Sequence, residues 1–111
     1  MKITRRHFGE LEQLLLYAVL HLQADDAGAS GPTIRRIVQS RTGRALSPGA
    51  VYTVLDRLER RGYVRSELGD PTPERGGKRK RLYQLRPPGE AALRDAESAL
   101  ARMACLARAK A

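Results

Sequence analysis

The chain has 111 residues, a formal charge of +9, 41% hydrophobic residues and a single cysteine. That length suits one domain with a modest core, and that hydrophobic content excludes a disordered tail. One cysteine excludes an intramolecular disulfide, and the longest apolar run, Leu14 to Leu20, is too short to cross a bilayer.

No signal peptide is visible, so the cytoplasm is the expected compartment. Met1 to His7 reads as a loose basic arm. Phe8 to Gln23 reads as a helix. Leu11, Leu15, Val19 and Leu22 line one of its faces, while Leu14, Leu16, Tyr17 and Leu20 widen it. A helix apolar around most of its circumference is buried on more than one side. The second side, with Leu14, is expected to meet another subunit. Ala24 to Gly31 reads as a loop. Ser30 or Gly31 can cap a second helix that runs to about Arg41, with Ile34, Ile37 and Val38 inward and Gly43 as its exit.

Ser47 to Arg61 is the most informative stretch. Ser47 suits an N-cap, Pro48 the first turn, and Arg60, Arg61 and Gly62 the last turn and its exit. Val51, Val54, Leu55 and Leu58 form one apolar stripe. Gly49, Tyr52, Thr53, Asp56, Arg57 and Arg60 form the opposite face, small at its start and then polar and cationic. Such a helix can anchor by one side and offer its N-terminal half to a nucleic-acid groove.

After Gly62 the period changes. Tyr63 to Leu68 and Arg81 to Arg86 alternate as strands do. Gly69 to Lys80 between them is about twice an ordinary hairpin loop of roughly two to five residues. Residues 71–90 hold six basic and two acidic groups, net +4, and Arg75 to Arg81 holds five cations in seven residues. Excess positive charge gives a reason to expect a polyanionic partner, since neutralised phosphates release counterions. By itself it also fits a merely soluble basic protein. Pro87-Pro88-Gly89 is expected to break the chain before a last helix, about Glu90 to Arg108. There Leu93, Ala96, Leu100, Met103 and Ala107 alternate steps of three and four, an a/d seam of about two heptads. The seam fits self-association or packing on its own domain; self-association is the favoured reading.

The expected fold is therefore mainly α with a small β-hairpin: a winged helix-turn-helix over 8–87, preceded by the arm 1–7 and followed by a dimerisation helix over 88–111. His7, His21 and Cys105 have no metal-ligand spacing, and no catalytic triad, phosphate loop or carboxylate pair is present. Neither an enzyme nor a resident cofactor is expected.

Several blocks carry a resemblance. They are Gly9 to Leu16, Ile34-Arg35-Arg36, Thr42-Gly43, Leu46 to Leu58, Arg61 to Val64, Gly76 to Tyr83 and Leu85 to Gly89. In these the chain resembles the PadR family of bacterial transcriptional regulators, over roughly residues 8 to 95. Where the family often has Tyr-Gly before the second helix, Ser30-Gly31 stands here. The resemblance implies a homodimeric repressor that binds double-stranded DNA at a palindromic operator. Relief by a small molecule is common in the family. A small hydrophobic effector would then find its cavity at the dimer interface, between the first and last helices.

Candidate DNA-binding residues are Arg35, Arg36, Ser47, Gly49, Tyr52, Thr53, Arg57, Lys78, Arg79 and Lys80. Each has a structural rival. Ser47 is an N-cap first; Tyr52 can pack instead; Arg57 has local carboxylates; at least one of Arg35 and Arg36 should face solvent or backbone phosphate. Arg81 can belong to the strand. Leu14, Leu93, Ala96, Leu100, Met103 and Ala107 are the candidate dimer contacts. The alternative function is an interaction module whose basic face binds an acidic protein.

Overall fold

The computed structural model describes residues 8–71 and 79–109. The N-terminal arm and the segment 72–78, with Arg75 and Lys78 of the cation run, lie outside the described residues.

Helix α1 spans Glu10–Leu22. It starts two residues later than the periodicity predicts, because Glu12 reaches back and its Oε1 accepts the Gly9 N–H at 2.8 Å. Phe8, left outside, meets Tyr63 edge to face with ring centroids 5.6 Å apart. Leu15, Leu16 and Val19 are fully buried and place α1 at the centre of the core.

The turn after α1 passes through Gly28, at φ 78°, into strand β1, Ala29–Ser30. The sequence placed this pair in a loop. Two residues carry no strand pattern of their own; their partner supplies it. Ala29 pairs with Tyr83 and Ser30 with Leu82, antiparallel. Ser30 then caps α2, Gly31–Thr42, by accepting from the Thr33 N–H, and Gly43, at φ 74°, ends it in the left-handed region. Helix α3, Pro48–Arg60, starts as expected, with Ser47 Oγ accepting the Ala50 N–H at 3.1 Å. Its stripe of Val51, Val54, Leu55 and Leu58 is buried in the same core as Ile34 and Val38 of α2.

Strands β2, Val64–Pro71, and β3, Arg79–Leu85, are antiparallel, and the sheet order is β1-β3-β2. Both strands extend toward the loop beyond the ends that alternation marks. Their pairing is irregular between Leu68 and Pro71.

Helix α4 spans Pro87–Arg108. The expectation that Pro87-Pro88-Gly89 breaks the chain before it is corrected: Arg86 is the N-cap and these residues form the first turn. Proline lacks an N–H that the first turn would leave unbonded anyway, so it opens a helix as readily as it ends one. Leu93 is also corrected. It is 3% exposed and packs in the protomer's own core, so it is not on the outer seam. Farther along, Ala96 is half-buried and Leu100, Met103 and Ala107 are exposed. The Tyr17 hydroxyl on α1 donates to Glu97 of α4 and links the two helices. Burial, followed by the neighbouring Glu97 carboxylate, pushes the Tyr17 phenol up to about 12, so it stays a donor near neutral pH.

Candidate nucleic-acid interface

Helix α3 rests on the core by one side, and the rest of its circumference is open. Ser47, Pro48 and Gly49 at its start are exposed, and nothing lies within 4 Å of where a Cβ on Gly49 would project. The first turn is therefore free to approach another surface closely. Tyr52 is 45% exposed and Thr53, Asp56, Arg57 and Arg60 are exposed beside it. The two-faced reading of the helix holds residue by residue.

A groove runs between this face and the hairpin, lined by Tyr52, Thr53, Asp56, Glu59, Arg81 and Tyr83. Its two walls are tied. Ser66 Oγ on β2 donates to the Glu59 carboxylate at 2.9 Å, and Arg81 Nη1 on β3 donates to the same hydroxyl at 3.0 Å. Tyr83 is 4% exposed and forms the floor; burial raises its phenol above the usual tyrosine range, against the lowering influence of Arg81. Sequence reasoning missed Arg81 as a groove residue. The available signal was its two-residue spacing from Tyr83, which puts both on one face of β3.

The cations divide into committed and open groups. Arg35 is half-buried and its Nε donates to the Leu46 carbonyl, so it braces the α2–α3 connection. Arg36 is exposed, and it is the one of the pair that faces solvent. Arg79 is exposed, but its guanidinium donates to the carbonyls of Gly69 at 2.7 Å and Leu68 at 3.3 Å across the hairpin. Lys80 is half-buried on β3, and Lys78 lies outside the described residues. Arg57 Nη1 lies 3.9 Å from the Glu12 carboxylate while half of its side chain stays exposed. Asp56 engages Arg60 at 2.9 Å, one turn on.

Of the other expected contacts, Leu14 is half-buried. It lines an apolar pocket of about 250 Å³ with Tyr17, Ala18, His21, Ile37 and Val38. That pocket lies between α1 and α2. Among the described residues no cluster of side chains could hold a metal ion, and no helix is long and apolar enough to cross a membrane.

Three helices on a common core, with α3 exposed beside a three-stranded sheet and its hairpin, define a winged-helix protein. The chain belongs to the PadR-like family of transcriptional regulators, whose model matches residues 16–95. Solved structures agree with the fold. A PadR-like transcription factor from Bacteroides fragilis is 21% identical with a TM-score of 0.71, over 91% of this chain and 89% of that one. A PadR family regulator from Clostridium difficile R20291 is 19% identical with a TM-score of 0.69, over 88% and 94%. Bacillus subtilis PadR in complex with operator DNA is 18% identical with a TM-score of 0.61, over 77% of this chain and 46% of that one. No curated protein matches the chain in sequence.

Proposed function

We propose that this regulator is a homodimeric repressor that binds a palindromic operator through α3 and its basic wing. The observation that carries the reading is the division of α3 into a fully buried stripe and an exposed N-terminal half that begins with small residues. Such a helix can lie in a major groove with its N-terminal half toward the base edges. Gly49, Tyr52 and Thr53 take the base edges and nearby phosphates. Arg36 and Arg57 take backbone phosphate. Arg35 and Ser47 position the helix start, and helix amides there suit a phosphate. Lys78, Arg79 and Lys80 lie along flanking backbone or in the minor groove, where the net charge of the wing acts. The operator-bound B. subtilis protein supports DNA as the partner.

Two modules paired through α1 and the outer part of α4 would address half-sites about one duplex turn apart, roughly 34 Å. A small hydrophobic effector between the first and last helices would change that separation and relieve repression. The test is selection of bound duplexes from a random pool, footprinted at two salt concentrations. Inverted half-sites about one turn apart, protected more weakly at high salt, are the expected result. Enrichment of no sequence, together with salt-resistant binding of an acidic protein, would overturn it.

A further inference from the structure

Gly31 opens α2, is buried, and lacks the backbone reason that usually calls for glycine. The glycines with positive φ among the described residues are Gly28, Gly43 and Gly62. What occupies the space above Gly31 is Tyr52. A Cβ there would fall 2.5 Å from Tyr52 Cζ and 2.7 Å from Cε1, and nearer still to the hydroxyl oxygen. The phenol of the exposed helix thus sits in a notch made by an absent side chain on the neighbouring helix. Tyr52 is still 45% exposed, and its other surroundings are the groove residues Thr53, Asp56, Arg81 and Tyr83.

We infer that Gly31 is a positioning residue for DNA recognition: its missing Cβ seats the Tyr52 ring in one orientation before DNA arrives. The inference rests on the proposed meeting of α3 with DNA. A side chain held in its bound orientation loses less freedom on binding than one that must be ordered by it. The obstructing atoms belong to the tip of a flexible side chain. A methyl group on Gly31 therefore moves Tyr52 and leaves the fold in place. Glycine is also the weaker helix former of the two.

The experiment uses Gly31→Ala, Tyr52→Ala and the double variant, with thermal unfolding of each. Gly31→Ala is expected to stay folded and to weaken binding of the selected operator by roughly three- to tenfold, the size expected for one unseated side chain. The double variant is expected to bind no more weakly than Tyr52→Ala alone, since the two changes act through one ring. A second readout needs no DNA. The ring signals of Tyr52 in the free protein should shift or average in Gly31→Ala while those of Tyr63 and Tyr83 stay put. Unchanged Tyr52 signals, wild-type operator affinity, or losses that add in the double variant would each overturn the inference. If the unaltered protein binds no DNA, the reading of the site falls and takes the recognition role with it. The ring signals then judge the seat separately.

Discussion

The carboxylate of Glu12 is 3% exposed, yet it serves two helices at once. Oε1 closes the start of α1, and Oε2 lies 3.5 Å from Arg61 Nη1, at the exit of α3, and 3.9 Å from Arg57 Nη1. The Arg61 side chain is only 9% exposed, and its guanidinium also sits 5.8 Å from the centre of the Tyr63 ring. A charge buried that deeply needs its counterion; removing one partner of such a pair costs about 3 kcal/mol. Glu12→Ala should therefore lower the unfolding free energy by roughly that amount, read as a lower denaturant midpoint at constant slope. Glu12→Gln, which keeps the Gly9 cap, should lose less. A loss within 0.5 kcal/mol for Glu12→Ala, about that of an ordinary surface substitution, would mean that Glu12 is not the counterion that matters. Little in the sequence marks this residue. A capping box usually announces itself by Ser or Thr three positions before the Glu, and Gly9 stands there. Its arginine partners stand in and just after α3, with β1 and α2 between.

At the scale of elements, α3 and α4 differ in how much of their start is written locally. For α3, the Ser47 cap, Pro48 and the apolar stripe lie within a few residues of one another, and the helix follows from them. For α4, local chemistry is ambiguous. Pro-Pro-Gly reads as a break, but it becomes a first turn because Arg86 N–H donates to Tyr63 O at 2.9 Å and holds the strand exit against the helix entry. Strand β1 is the same case: only β3 makes it a strand. Gly89 records the tightness of the α4 joint. A Cβ there would collide with the Tyr63 carbonyl oxygen and lie 2.9 Å from Leu85 Cδ1 and 3.1 Å from Tyr63 C. Helix propensity alone favours Gly89→Ala by up to about 1 kcal/mol. Here the obstacle is backbone, which cannot swing aside as the Tyr52 ring can. Overpacking should win, and Gly89→Ala should be destabilising by about 1–3 kcal/mol, checked by thermal unfolding. A rise in the melting temperature would show that the joint has slack. The groove was legible in part for the same reason: Tyr52 and Thr53 follow from the phase of one helix, whereas Arg81 and the Gly31 notch need two elements brought together.

For the whole molecule, the question is what α4 does once it leaves the domain. The described structure measures 57 × 36 × 24 Å, elongated for so short a chain. Leu93 anchors the near half of the helix in the core, and the family model ends at residue 95. Beyond that point Leu100, Met103 and Leu106 are 65%, 63% and 60% exposed. Leu106 was not among the expected seam residues, because the steps of three and four pass through Ala107; exposure adds it to the patch. Large apolar side chains three residues apart along one projecting helix are costly in water unless something covers them. A second copy, related by a twofold axis, would cover them with the same surface and present both α3 helices together. Leu93 and Leu100 lie seven residues apart on the same helix and should separate the two roles. Leu93→Ala removes core volume and should cost about 2–5 kcal/mol of folding stability. Leu100→Asp touches little within the protomer and should change its stability by no more than about 0.5 kcal/mol. In the dimer, however, it would bury an unpaired charge, and the dissociation constant should rise by roughly a hundredfold or more. Sedimentation equilibrium reads that shift directly, and operator affinity should fall with it, because half-sites bound by linked modules lose their shared gain when the link opens. A Leu100→Asp protein that still sediments as a dimer and holds its operator would place the pairing surface elsewhere, with the α1–α2 pocket around Leu14 the next surface to alter.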